Sequence, residues 1–209
     1  MLLSVTLSCA PLNTFPAPQN RAEAVAALED ALAERRAEAV AWIANHGRMA
    51  DQPLLVKRLR DDDGIVRGFA EQGLWRLWSR SGDAALDRLM AEGVEQMQAA
   101  RFKDAIATFS DVIRRKPAFA EGWNKRATVY YLAGDYQRSL TDCHEVMKRN
   151  RYHFGALSGY GQIYFHLEQY DKALEFWRRA LEVNPNMLGV EINIQGAEEL
   201  LKEKRGRAI

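Results

Sequence analysis

The residues that most often do chemistry in proteins stand at spacings that do not form a catalytic site. Cys143 and His144 are neighbours in the sequence, and neighbours on a helix point to different faces, so they cannot act as a nucleophile and its base. Ser158 and His166 lie two helical turns apart and have no third partner. The sequence therefore predicts no catalytic residue and a protein that is not an enzyme.

The sequence also lacks the ligand patterns of metal and cofactor sites. It contains no glycine-rich phosphate loop and no paired-cysteine motif, and His144, His153 and His166 fall on different predicted helices. The acidic run 61–63 lacks the alternate spacing and the terminal Glu of a calcium loop. We expect neither a metal ion nor a cofactor.

Composition narrows the class of protein and the class of partner. Of 209 residues, 47% are apolar and 27% are charged, which suits a globular chain with a sizeable core. The formal net charge of +1 creates no overall field that would attract nucleic acid or an anionic membrane. We expect no nucleic-acid partner, and because no alternating strand pattern is sustained, we expect an all-helical fold.

A period of 34 residues organises the chain from Leu86 to Met187. Small residues and aromatic residues recur in the same columns of this period, as Gly93, Ala127 and Gly161; Ala105, Ser139 and Ala173; Phe109, Cys143 and Trp177; and Phe102, Tyr136 and Tyr170. Small residues let two helix axes approach closely. The period predicts three helical pairs, over residues 86–119, 120–153 and 154–187, within a region that begins at residue 83.

These columns resemble the tetratricopeptide repeat, a helix–turn–helix unit of this period. The resemblance implies a right-handed α-solenoid that binds an extended peptide or a partner helix in a concave groove, and hence an interaction scaffold or adaptor. The groove positions that it implies are Met90, Val94, Met97, Asn124, Thr128, Tyr131, Ser158, Gln162, Phe165 and His166. The alternative is a structural or assembly subunit whose groove is filled by its own N-terminal helices or by another copy.

One known use of such grooves is not reproduced here. A subset of the family binds chaperone C-termini through a two-carboxylate clamp of Lys, Asn and Arg. In this chain Met90 and Val94 stand where Lys and Asn are expected, and Gly155 and Gly159 stand where Lys and Arg are expected. We therefore expect no tight binding of a chaperone tail.

An apolar and Pro-rich leader, residues 1–19, precedes the helical part of the chain. It resembles part of an export signal, and its alternative is a disordered N-terminus. Thr6–Cys9 loosely resembles the cleavage box of bacterial lipoproteins, which would make Cys9 a lipid attachment point and the only link to a membrane. Export to a bacterial envelope is then expected, with a cytoplasmic location as the alternative.

Two further segments flank the repeats. In residues 20–82, Asn20 and Gly47 bound one predicted helix, and a shorter helix, an Asp turn and a second helix resemble a HEAT repeat. That resemblance implies that Asp61 and Arg67 tie neighbouring turns together. Residues 188–209 predict a capping helix, which covers the last apolar face, and a basic tail.

Overall fold

The computed structural model describes residues 16–206, and for residues 205 and 206 it describes the backbone alone. Within that range the chain forms α-helices and no strand, so the predicted all-helical solenoid is confirmed. The helices are α1 Arg21–Ala27, α2 Ala33–His46, α3 Gln52–Arg58, α4 Gly64–Ser79, α5 Ala84–Gln98, α6 Phe102–Arg115, α7 Ala120–Leu132, α8 Tyr136–Arg149, α9 Phe154–His166, α10 Tyr170–Val183 and α11 Leu188–Gly206. Residues 1–15 of the predicted leader, including Cys9, lie outside the described residues.

The first two helices correct the prediction of one continuous helix from Asn20 to Gly47. Asn20 does cap a helix, and its side chain accepts a hydrogen bond from the Glu23 amide at 3.0 Å. However, α1 ends after seven residues, and the Asp30 carboxylate accepts from the Leu32 amide at 3.0 Å. Such a local side-chain bond gives the backbone an alternative to the helix, so the chain turns before α2.

The Asp turn after α3 is held differently from the HEAT resemblance. The Asp61 carboxylate binds Arg36 of α2 at 2.6 Å and Arg58 of α3 at 3.3 Å. Arg67 instead donates to the backbone carbonyls of Asp61 and Asp62, at 2.8 and 3.0 Å. The hydrogen bond from Arg36 holds the pKa of the Asp61 carboxyl below its usual value, although burial of the carboxyl acts in the opposite direction.

The three helical pairs α5/α6, α7/α8 and α9/α10 stack in chain order, and in the first and third pairs a glycine of one helix meets an aromatic ring of the other. A Cβ atom added at Gly93 would lie 2.6 Å from the Phe109 ring, and one added at Gly161 would lie 2.3 Å from the Trp177 ring. Carbon atoms at optimal separation are about 3.5–4.0 Å apart, so neither glycine can carry a side chain without moving its partner. The close approach of the helices therefore requires glycine there.

The N-terminal helical region, α1–α4, packs against one edge of the repeats. Phe154, at the start of α9, is fully buried among α4 side chains. The centroid of its ring lies 5.1 Å from that of Trp75 and 5.0 Å from that of Trp78. Asn186 also donates to the Leu59 carbonyl at 2.8 Å. The region and the third pair therefore share one apolar cluster.

The last helix, α11, packs its inner face on α10. Val190 and Ala197 are buried there in a cluster with Trp177, while Leu188 and Ile192 remain exposed. Among residues 16–206, no helix combines the length and the apolar character that a transmembrane span requires.

Candidate peptide-binding groove

The concave face of the repeats contains a cavity between α7, α8 and α9, which we call the groove cavity. Its volume is about 260 Å³. Its lining combines small or apolar residues at the floor with neutral polar residues around them: Asn124, Ala127, Thr128, Tyr131, Ser139, Cys143, Gly155, Ala156, Ser158, Gly159, Gln162 and Ile163. A concave, largely apolar space with a few polar groups is typical of ligand sites.

The cavity exists because one column of the repeat changes size. Phe109 in the first pair and Trp177 in the third fill the space beneath the concave helices, and both are fully buried. Cys143 occupies the same column in the second pair, and its side chain is far smaller. The groove cavity lies beside this smaller side chain.

Five of the predicted groove residues meet at this cavity: Asn124, Thr128, Tyr131, Ser158 and Gln162. Asn124 uses one amide hydrogen on Glu121, at 3.2 Å, and the Thr128 hydroxyl donates to the Asn124 carbonyl at 3.0 Å. The amides of Asn124 and Gln162 can each donate and accept, as an extended backbone requires. Two neighbouring helices thus place matching polar groups on both sides of the cavity.

The three residues predicted from the first pair lie elsewhere. Met90 is 7% exposed and belongs to the core cluster of the first pair, and Val94 and Met97 pack against that cluster while remaining partly exposed. None of the three lines the groove cavity. Met90 therefore lies in the core of the first pair, and all three residues stand apart from the groove cavity.

Phe165 and His166 also lie outside the cavity. The Phe165 ring is 5.7 Å from the Trp177 ring and contributes to the cluster under α11. His166 is exposed, and its Nε2 lies 2.6 Å from the Tyr131 hydroxyl. Its ring also stacks on Tyr136 at 5.7 Å. His166 therefore orients Tyr131 at the cavity wall, while Phe165 has a packing role.

Among the described residues that line the cavity, none carries a charge near neutral pH. Burial raises the pKa of the Cys143 thiol to about 12, and burial also raises the pKa of Tyr131. The thiol is therefore a poor nucleophile. The cavity offers shape and hydrogen bonds rather than reactive groups.

The nearest ionised groups are already paired. Glu121 is buried below Asn124, and its carboxylate lies 3.1 Å from His153 Nε2 and 3.2 Å from Lys125 Nζ. Burial alone would raise the pKa of Glu121, but His153 and Lys125 together hold it below its usual value. His153 Nδ1 accepts from the Ala156 amide at 3.0 Å, so Nε2 carries the proton that bonds Glu121.

The N-terminal helical region closes one end of the groove and does not fill it. The Trp75 ring sits over Gly155, where an added Cβ atom would lie 2.4 Å from it. In the part of the chain that the structure describes, no residue before Asn124 lines the cavity. Residues 16–206 therefore leave the cavity open above α7 and α9.

Sequence reasoning missed the residues that create the space. Cys143 and Gly159 are adjacent in the lining of the cavity, since a Cβ atom added at Gly159 would lie 3.7 Å from the Cys143 sulfur, an ordinary contact distance. The signal was present in the column of Phe109 and Trp177, where one small residue interrupts two large ones. A small side chain at a core position that is large in the other repeats predicts a space in that repeat.

Comparison with known families and structures fits this geometry. The family model described as tetratricopeptide repeat matches residues 90–146 and again residues 156–187. The chain is a tetratricopeptide repeat protein. Its repeats are the helical pairs α5/α6, α7/α8 and α9/α10, and α11 follows them.

Other tetratricopeptide repeat proteins resemble the chain over part of their length. A TPR repeat-containing protein of Rhizobium etli is 33% identical over 130 residues, which are 62% of this chain and 63% of the relative. Hsp70-Hsp90 organizing protein 1 of Glycine max is 26% identical over 57% of this chain and 21% of its own length. The chain thus spans less than two thirds of either relative.

Solved structures show the same fold. The first TPR domain of Spaghetti (RPAP3), bound to the HSP90 peptide SRMEEVD, has a TM-score of 0.54 and 20% identity, over 56% of this chain and 93% of that one. The Sgt2 TPR domain of Aspergillus fumigatus has a TM-score of 0.57 and 19% identity, over 61% of this chain and 85% of that one. The likeness concerns the arrangement of the repeats.

Proposed function

We propose that this tetratricopeptide repeat protein is a non-catalytic adaptor that holds an extended segment of another protein in the groove cavity. The observation that carries the proposal is an open cavity of about 260 Å³ on the concave face, with an apolar floor and neutral amides beside it. An extended segment needs hydrogen-bond partners for its backbone and a space for a side chain, and the cavity supplies both.

Similar proteins support a peptide as the partner. The Spaghetti domain is bound to an HSP90 peptide, and TPR2B of yeast Sti1 is in complex with an Hsp70 peptide. For this chain the partner is a protein or peptide of unassigned identity. Attachment to a membrane through Cys9 remains a prediction from the leader, which lies outside the described residues.

Affinity capture from an extract of the source organism tests the proposal with one blocking variant and one matched control. Gly159→Leu directs a side chain towards Cys143 and fills the cavity, whereas Gly196→Leu adds the same side chain on α11, where an added Cβ atom meets no heavy atom within 4 Å. Both changes replace a helical glycine, so their effects on helix propensity are alike. We expect the wild type and Gly196→Leu to capture the same protein and Gly159→Leu to lose it.

Other results would contradict the adaptor. Identical capture by all three proteins, at similar melting temperatures, would place the binding site away from the groove cavity. Capture of only further copies of this chain would favour the alternative, a structural subunit whose groove is filled by another copy.

A further inference from the structure

The groove cavity differs from the rest of the solenoid by one missing ring. In the first and third repeats Phe109 and Trp177 are buried at the position that Cys143 holds in the second. The volume of about 260 Å³ exceeds the roughly 150 Å³ of a dry cavity that accepts a benzene molecule. The space is therefore large enough for one aromatic side chain and part of its backbone.

The charges around the cavity limit what the rest of the ligand can be. A buried carboxylate or ammonium group is costly unless an opposite charge pairs with it. The described lining residues offer no such charge, and Lys125 nearby is engaged by Glu121 at 3.2 Å. A free C-terminal carboxylate placed between α7 and α9 would therefore lose its hydration without gaining a counterion.

The small residues on the floor indicate how the ligand enters. Gly159 on α9 lines the cavity and has no side chain to cover its backbone, whereas Gly155 lies under Trp75 and Ala127 on α7 is buried. Asn124 and Gln162 stand on opposite helices and can bond the amide groups on either side of an inserted residue. This arrangement suits an internal segment that runs across both helices rather than a chain end.

Building on the proposed function, we propose that the groove cavity takes one aromatic side chain from an uncharged internal segment of a partner protein. The inserted ring occupies the space that Phe109 and Trp177 fill in the neighbouring repeats. The partner thereby completes the core of the second repeat from outside. Asn124 and Gln162 hold the backbone of the segment, and no free terminus is needed.

The test is a selection from random dodecapeptides displayed between Gly-Ser linkers, so that every peptide is internal. The full chain is the target, and two filled variants, Gly159→Leu and Cys143→Phe, remove binders that do not use the cavity. Gly159→Leu fills the cavity from the groove, and Cys143→Phe fills it from beneath with the residue that the first repeat carries. Because the two act from opposite sides, either one suffices if the other fails to fold. Gly196→Leu is the matched control.

We expect the enriched peptides to share one Phe, Tyr or Trp between uncharged residues. Replacing that residue by Ala should weaken binding by about 10- to 100-fold in fluorescence anisotropy, as expected for withdrawing a large apolar side chain from a buried site. The same peptide with a free carboxylate directly after the aromatic residue should bind more weakly than its amide. The acidic peptide SRMEEVD should not bind at micromolar concentration.

Two other outcomes separate this inference from the proposed function. Enriched peptides that are charged or lack an aromatic residue, but lose binding in the filled variants, would overturn the inference and leave the groove as the binding site. Peptides that bind the filled variants as well as the wild type, or no enrichment over those variants, would overturn the proposed function itself.

Discussion

Phe154→Ala tests whether the N-terminal helical region and the repeats unfold as one unit. Phe154 belongs by sequence to the third repeat, yet its side chain is fully buried in the apolar cluster of α1–α4. Its ring contacts Trp75 at 5.1 Å and Trp78 at 5.0 Å. Removing the ring leaves a space at the contact between the third repeat and the apolar cluster of α1–α4.

The expected magnitude follows from this complete burial. Replacing a buried Phe by Ala costs about 3–5 kcal/mol through lost apolar contact and the remaining cavity. For a chain of this length, each kcal/mol lowers the melting temperature by roughly 2–4 °C. We therefore expect a fall of roughly 6–20 °C for the first unfolding event.

Phe69→Ala is the matched control, since Phe69 lies on the outer side of α4 and is 45% exposed. It should change stability by no more than about 1 kcal/mol, as surface substitutions usually do. Calorimetry measures both variants, and hydrogen exchange shows where protection is lost. In Phe154→Ala the amides of α4 and the first turn of α9 should exchange faster than those of α10 and α11.

A small effect would refute the reasoning. If Phe154→Ala and Phe69→Ala melt within about 2 °C of each other, less than one kcal/mol separates them and the ring does not couple the two regions. Uniformly faster exchange over the whole chain would mean that the coupling exists but is not localised at this contact.

Gly161→Ala places a Cβ atom 2.3 Å from an aromatic ring of α10, so thermal melts should show a loss of about 1–3 kcal/mol, whereas Gly196→Ala, in open space, should show none. Asp61→Asn should destabilise the chain at neutral pH. Because Arg36 lowers the pKa of Asp61, the stability from this pair is present above the unfolded pKa and is lost as the pH falls through the folded pKa, so the difference between the two proteins in urea titrations should shrink as the pH falls below the ordinary Asp value of about 4. Cys143, with its pKa raised by burial to about 12, should resist iodoacetamide in the folded protein and react after unfolding, as mass spectrometry of its peptide shows.

Three results would contradict these predictions. Equal melting temperatures for the two glycine variants would contradict the close packing of α9 on α10. A difference between Asp61→Asn and wild type that stays constant with pH would show that the Asp61 carboxylate is not held in its charged form. Rapid alkylation of Cys143 in the folded chain would mean that the thiol is open to solvent.

The periodic part of the sequence was enough to predict the repeat fold. A column such as Gly93, Ala127 and Gly161 records a contact between adjacent helices, and that contact recurs every 34 residues. A local signal also sufficed for the first helix cap, since Asn20 accepts from the Glu23 amide at 3.0 Å at the start of α1. Where such a signal was weak, at residues 28–32, the predicted single helix from Asn20 to Gly47 was wrong.

The groove was predictable only in part. Asn124, Thr128 and Gln162 reach the cavity because they occupy the concave positions that the repeat implies. Met90 occupies an equivalent position and is buried instead, in the core cluster of the first pair. A repeat column identifies the helix face on which a residue lies. The packing of the two helices in the pair then decides whether its side chain is exposed or buried.

The sequence by itself determined the helical repeats and their order, because these depend on neighbours at a fixed separation. The tertiary structure alone decided that Trp75 closes the groove over Gly155 and that Phe154 joins the cluster of α1–α4. These contacts link segments that share no period. Their partners are selected by shape and burial once the helices have packed, so no spacing in the sequence records them.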